Sequence, residues 1–385
     1  MIHVRQTQLF NLLGVYPVAF LLFFFIIILV LLSVAYNNNN CVVKYHQTYL
    51  AYSLFFGTII FILYLILLSR QNLFQSDMIA YFNNMQSVKS LTSSYTISEI
   101  FNQTAFEKGF IIIQIIIGYV TNNVQTYGIL MYAINLSLPL IAAGYFFGID
   151  SVPFVMLHYM FFNTFNTVSL IVLRQGMAIG ILLISLATYL KGKKKTAVVL
   201  MILSAQYHST AYIMLLAFLI IEIFKINLKP LLGIWGLASV LYVTGWNQIV
   251  IQHLPFHSQY LLSYTGELWS GQSTLYGQAP NSIKYLAYSA VFLIVMLFLR
   301  SFFLMEDEDM LFFVRVYTVW NTVFLLFGFI AFSSRIAFYS WILFPFIVFY
   351  AFWSNGVLKK YYSLFLISWL VAGLASLPIF GWIVS

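Results

Sequence analysis

The chain has 385 residues, of which 62% are hydrophobic and only 7% are charged. A soluble protein carries about 25% charged residues, so the composition excludes a soluble globular enzyme and indicates a polytopic α-helical membrane protein. The net charge of +8 does not indicate nucleic-acid binding, because much of it lies in short loops that would meet lipid headgroups. With one cysteine, Cys41, the chain has neither an internal disulfide nor a cysteine-based zinc site.

Ten apolar segments approach the length of about 20 residues that a helix needs to cross a bilayer. In chain order they are 16–36, 47–68, 125–147, 152–171, 174–190, 230–248, 284–300, 311–332, 336–354 and 361–383. We therefore expect an all-α transmembrane bundle of about ten spans that forms a single integral membrane domain over residues 1–385.

Two further apolar segments do not fit a simple span. Residues 110–120 are too few to cross a bilayer, which favours a re-entrant or interfacial helix. Residues 196–222 would form about 40 Å of helix, but the polar sequence 206–210 interrupts them. This pattern predicts either a helical hairpin with its tip near His208 or one tilted helix.

Lysines predict the orientation, since positive charge is enriched on the cytoplasmic side of membranes. The basic loop 191–195 and the pair Lys359-Lys360 are therefore expected to be cytoplasmic. Spans counted from the basic loop and spans counted back from Lys359-Lys360 give one consistent orientation only if 196–222 enters and leaves the membrane on the cytoplasmic side. Two large loops, 69–108 and 249–283, then face outward.

Three arginines lie at the ends of apolar segments on the predicted outer side: Arg70, Arg174 and Arg335. Ionisable residues at membrane depth are costly and commonly functional. A guanidinium also presents a planar fork of donors that matches phosphate oxygens. The alternative is that each arginine extends toward lipid headgroups, but three on one side favour a site for an anionic group.

Other polar residues fall on the same side. His208 is the first candidate general base because histidine titrates near neutral pH; the alternative is a core histidine bonded between helices. Asp77 is the second candidate base, and ordinary loop charge is its alternative. The residues expected to contact substrate, with Arg70, are Tyr81, Glu107, Gln175, Ser209 and Tyr339. We expect no metal and no cofactor, because metal-ligand spacings and nucleotide-binding fingerprints are both missing from the sequence.

Five motifs follow one another along roughly residues 60–350. They are Arg70…Asp77…Tyr81, Glu107-Lys108-Gly109-Phe110, Arg174-Gln175, Tyr207-His208-Ser209-Thr210-Ala211 and Ser334-Arg335-Ile336-Ala337-Phe338-Tyr339. Their order and predicted membrane placement resemble the EpsG-type branch of the Wzy polysaccharide polymerases.

This resemblance implies a glycosyltransferase of the bacterial plasma membrane that joins oligosaccharide repeat units carried on undecaprenyl diphosphate. It implies reaction on the outer face, without a metal ion and with inversion at the anomeric carbon. Arginines would stabilise the leaving diphosphate, and His208 or Asp77 would accept the proton of the attacking sugar hydroxyl. The implied partners are the lipid-linked oligosaccharide and membrane lipids, and flippase and chain-length regulator proteins are further candidates.

Three other functions share part of this pattern. A lipid-linked oligosaccharide flippase would also need cationic residues facing a cavity, although transporters commonly have repeated halves and the sequence has no internal repeat. An O-antigen-ligase-type transferase would share the chemistry and differ in its acceptor. A membrane acyltransferase would use an embedded histidine but gives no reason for three outward arginines.

Overall fold

The computed structural model describes residues 18–34, 39–69, 76–253, 280–330 and 332–376. Every regular element within these ranges is a helix, which confirms the all-α prediction. The chain divides into two compact units. The first comprises Met1–Ser209 and Phe352–Ser385, and the second comprises Thr210–Ala351.

The first ten helices belong to the first unit. Their bounds are α1 Val18–Val34, α2 Asn39–Ser69, α3 Ser76–Leu91, α4 Ile97–Gln103, α5 Lys108–Val120, α6 Val124–Phe147, α7 Val152–Met160, α8 Asn163–Leu170, α9 Leu173–Leu190 and α10 Lys194–Ser204. The predicted outer loop 69–108 is thus not open chain, because it contains α3 and α4.

The second unit begins with α11, and the chain returns to the first unit within α17. The bounds are α11 Ala211–Ile223, α12 Leu228–Thr244, α13 Trp246–Gln252, α14 Ile283–Phe303, α15 Glu308–Leu326, α16 Ser334–Trp341, α17 Leu343–Ser354 and α18 Gly356–Ser376. Most of the predicted outer loop 249–283 lies outside the described residues.

Among the described residues, six helices are long and apolar enough to cross a membrane, or seven if the bent pair α4–α5 counts as one. They are Gln47–Ser69 within α2, Val124–Phe147, Leu173–Leu190, Ile283–Phe303, Glu308–Leu326 and Ser334–Ser354, the last being α16 and α17 taken together. The prediction of about ten spans is not confirmed, because other apolar helices, such as α1, α11 and α12, are shorter.

The short segment 110–120 is part of α5, which is bent by 115° against α4. A capping box starts α4: the Glu99 N–H donates to the Thr96 hydroxyl, and the Thr96 N–H donates to the Glu99 carboxylate at 2.8 Å. The sharp bend agrees with the prediction of a re-entrant or broken helix here.

The prediction that 152–171 forms one continuous span is wrong, because these residues form two helices, α7 and α8. The buried Asn166 amide donates to the Met160 carbonyl at the end of α7, at 2.9 Å. Its oxygen accepts from the hydroxyls of Tyr64 and Tyr132, at 3.2 and 2.9 Å. The asparagine therefore satisfies a carbonyl at the helix end that a continuous helix would have bonded itself.

The predicted break within 196–222 is confirmed. Helix α10 ends at Ser204, and the backbone N–H groups of Tyr207 and His208 both donate to the Ser204 carbonyl, at 3.0 and 3.3 Å. Helix α11 begins only at Ala211. The hairpin itself stays a prediction, because α10 and α11 belong to different units.

Aromatic and methionine side chains form the core on which α5 rests. This core joins α3, α5, α6 and α9 and consists of Met78, Tyr81, Met85, Phe110, Ile117, Tyr127, Met131, Leu173 and Met177. The Tyr81 and Phe110 rings meet edge to face with their centroids 5.5 Å apart. The N-terminal ends of α5 and α9 are therefore held on one packed surface of the first unit.

A buried polar network joins four helices of the second unit. Asn321 on α15 accepts from Trp235 Nε1 of α12 at 2.8 Å. Its amide nitrogen donates to the hydroxyls of Ser289 on α14 and Ser340 on α16, at 2.9 and 3.0 Å. Because such bonds specify one arrangement of buried helices, the network fixes α16, the helix that carries Arg335.

Candidate active site

A single carboxylate joins two distant parts of the first unit. Glu107 lies between α4 and α5, and its Oε2 accepts from Arg174 Nη1 at 2.5 Å. Its Oε1 accepts from the backbone N–H of Ser209 at 3.0 Å. The Arg174 and Glu107 side chains are 21% and 18% exposed, so this charged cluster is partly withdrawn from solvent yet still reachable from it.

Arg174 is the second residue of α9 and lies against aromatic rings. Its guanidinium carbon is 4.4 Å from the centroid of the Phe106 ring and 5.9 Å from that of the Tyr81 ring. Such contacts attract a cation to the ring face. The buried Nε makes no hydrogen bond to any residue that the structure describes. The Tyr81 side chain also interacts with this guanidinium.

The loop that carries His208 is anchored on both sides of the histidine. The Gly109 N–H donates to the Gln206 carbonyl at 2.8 Å, and the Ser209 N–H donates to Glu107. A Cβ added at Gly109 would lie 2.7 Å from the Gln206 oxygen, so the approach requires glycine. His208 itself is half-buried and Ser209 is exposed.

Glu107 is ionised at neutral pH. Burial alone would raise the pKa of its carboxyl, but the Arg174 guanidinium, the Ser209 N–H and the neighbouring His208 outweigh burial and hold the pKa below its ordinary value. The cluster therefore contains a fixed negative charge, a fixed positive charge and an imidazole, groups that can bind an anion and accept a proton.

Several predicted residues lie behind this cluster. Tyr81 is 8% exposed and packs on Phe106 and Phe110, and Gln175 is fully buried on α9. Asp77 and Tyr81 do share a helix, as their spacing indicates, and Asp77 is partly exposed in the first turn of α3.

The other predicted residues lie outside the described residues or in the second unit. Arg70 lies outside the described residues. Arg335 and Tyr339 belong to the second unit, where the Arg335 guanidinium lies 4.6 Å from the centroid of the Phe332 ring. Tyr339 is fully buried, and its hydroxyl is 2.8 Å from the hydroxyl of Thr210.

From the sequence, no role was assigned to two residues of the cluster, although Gly109 belongs to one of the five motifs. Phe106 supplies the ring under Arg174, and Gly109 permits the close approach of the loop. Gly109 stands in the first turn of an apolar helix, although glycine is unfavourable in helices. A glycine at such a position can indicate that another segment packs closely against the backbone there. In the described part of the chain, no three His, Cys, Asp or Glu side chains are grouped so that they could hold a metal ion.

Apolar helices of spanning length, together with an arginine–carboxylate cluster near helix ends, define a multi-pass membrane protein. The chain belongs to the EpsG family, whose model matches residues 54–382, and this is the family of Wzy-like polysaccharide polymerases. The family predicted from the motifs is thereby confirmed. Neither the curated proteins nor the solved structures contain a significant match to the chain.

Proposed function

We propose that this protein polymerises oligosaccharide repeat units carried on undecaprenyl diphosphate, on the outer face of the bacterial plasma membrane. Membership of the EpsG family supports the general activity. The observation that supports the mechanism is the cluster in which Glu107 joins Arg174 to the loop that carries His208. It combines an anion-binding group with a candidate base.

In the proposed step, a hydroxyl oxygen of one repeat unit attacks the anomeric carbon of another. The bond between that carbon and the diphosphate oxygen breaks, and the electron pair leaves with the lipid diphosphate. The hydroxyl proton passes to His208, with Asp77 as the alternative acceptor. The configuration at the anomeric carbon is inverted, because there is a single displacement.

Arg174 is proposed to stabilise the charge that develops on the leaving diphosphate. A fixed guanidinium in a partly desolvated site stabilises such charge more than water does. Arg335 and Arg70 are proposed as further diphosphate ligands, and Ser209 and Tyr339 as substrate contacts. The burial of Tyr81 and Gln175 supports a role behind Arg174 rather than contact with the sugar.

The proposed orientation rests on the lysines. The basic loop 191–195 is placed in the cytoplasm, so the loop that carries His208 and the start of α9 face the exterior. Both units are proposed to lie within one integral membrane domain.

The test uses purified protein in vesicles and a purified lipid-linked repeat unit, with product length followed by gel electrophoresis. Arg174→Ala, Arg335→Ala and His208→Ala are each expected to abolish chain growth while the protein still inserts. Arg300→Ala, which removes an arginine from the end of α14 on the predicted inner side, is the control and should keep activity. Full activity of the Arg174 and Arg335 variants would remove the diphosphate-binding hypothesis.

A further inference from the structure

Both carboxylate oxygens of Glu107 are already occupied within the protein. One accepts from Arg174, 67 positions away along the chain, and the other accepts from the Ser209 N–H, 102 positions away. Each oxygen therefore makes one bond within the protein, so the carboxylate is held in place without a substrate. It links a cation to a loop.

A glutamate at position 107 suits this arrangement, because Arg174 and the Ser209 N–H are both hydrogen-bond donors. A glutamate accepts on both oxygens, whereas a glutamine has one accepting oxygen and one donating nitrogen. A glutamine at position 107 in the same orientation could therefore accept from either Arg174 or the Ser209 N–H, and its amide N–H groups would face the other donor. An aspartate would keep two acceptors on a side chain that is one methylene shorter.

The second anchor of the loop comes from the same place in the fold. The Gly109 N–H, two residues after Glu107, holds the Gln206 carbonyl at 2.8 Å. The backbone is thus fixed at positions 206 and 209, and His208 lies between them. The start of α5 sets where His208 lies relative to the Arg174 guanidinium.

We propose that Glu107 is a positioning residue that holds Arg174 and the His208 loop in a fixed relation and does not itself bind substrate. This inference rests on the proposed function, in which Arg174 stabilises the leaving diphosphate of the donor and His208 accepts the proton of the attacking hydroxyl in the same step. Misplacing one of two such groups by about 1 Å can lower a rate by about 100-fold.

The first test separates positioning from substrate binding by kinetics. In the polymerisation assay, Glu107→Gln should lower kcat by about 10- to 100-fold and change KM for the lipid-linked substrate by less than about threefold. Glu107→Asp should be intermediate. Glu99→Gln removes the same charge from the neighbouring helix, and glutamine still completes a capping box, so this control should match the wild type.

The second test does not depend on activity. Amide hydrogen exchange of residues 205–209 should accelerate in Glu107→Gln and stay unchanged in Glu99→Gln, with the exchange of α9 as the control for folding. Unchanged exchange at 205–209 in Glu107→Gln would overturn the proposal. So would a higher KM at unchanged kcat, because that pattern marks a substrate contact. If the wild type makes no polymer, the proposed function fails. The exchange result would still show whether Glu107 holds the loop that carries His208.

Discussion

At the scale of single residues, the main feature is the Arg174 guanidinium, which makes an ion pair with a carboxylate and a cation–π contact with an aromatic ring. Glu107 bonds Arg174 Nη1, and the Phe106 ring lies 4.4 Å from the guanidinium carbon. Lysine cannot reproduce this arrangement, because its ammonium is a compact point charge without a planar fork.

Arg174→Lys should therefore keep the positive charge and still lose most of the activity. We expect kcat for polymerisation to fall by about 100-fold, the size of effect seen when one donor to a developing negative charge is removed. Arg300→Lys makes the same change outside the cluster and should stay near the wild-type rate. Equal rates for Arg174→Lys and the wild type would mean that charge alone, and not the fork, is needed.

The sequence was sufficient to single out Glu107, Arg174, His208 and Ser209, because charged and polar residues stand out in apolar chain. It did not indicate that Glu107 would accept hydrogen bonds from both Arg174 and the Ser209 N–H. Contacts across 67 and 102 positions of the chain depend on how the helices pack. The burial of Tyr81 and Gln175 was not indicated either, since it follows from the direction in which α3 and α9 present these side chains.

At the scale of elements, the close approach of the start of α5 to the loop 205–209 depends on one glycine. Gly109→Ala would place a methyl carbon 2.7 Å from the Gln206 oxygen and 3.0 Å from the Tyr207 ring. The backbone of the loop would have to move, since the nearest obstacle is a carbonyl and not a flexible side chain.

We expect Gly109→Ala to lower the polymerisation rate by about 10-fold or more, because it displaces His208 from Arg174. The matched control is Gly128→Ala on α6, where the nearest atoms belong to the flexible end of Met78, at 3.4 and 3.6 Å. Alanine there should leave the rate unchanged. Wild-type activity in Gly109→Ala would show that the loop position does not matter for catalysis.

Helices with uninterrupted apolar sequence were predicted within a few residues, as 47–68, 125–147, 174–190 and 284–300 show. The failure at 152–171 has a specific cause. Asn166 is an ordinary polar residue by sequence, yet in the fold it bonds a helix-end carbonyl and two tyrosines at once. Such a break can be found only when the partners on α2 and α6 are known.

At the scale of the whole molecule, the orientation depends on whether 196–222 returns to the side from which it starts. Lys193 and Lys229 flank this segment and are both exposed. In a variant lacking the native cysteine, Cys41→Ser, single changes Lys193→Cys and Lys229→Cys should both be labelled by a membrane-impermeant thiol reagent only from the cytoplasmic side. Ser94→Cys, at an exposed position of the predicted outer loop 69–108, is the control for labelling from the other side. Labelling of Lys193→Cys and Lys229→Cys from opposite sides would replace the hairpin with a single tilted span.

In the proposed function, this protein lengthens polysaccharide on a lipid carrier. The most direct measurement follows a purified lipid-linked repeat unit incubated in vesicles with the wild-type protein alone and with Arg174→Ala. We predict a ladder of longer lipid-linked products from the wild type and none from Arg174→Ala inserted in equal amount. Movement of the repeat unit across the membrane without any longer product would rule out the proposed polymerase activity, and an undiminished ladder from Arg174→Ala would rule out the proposed role of Arg174.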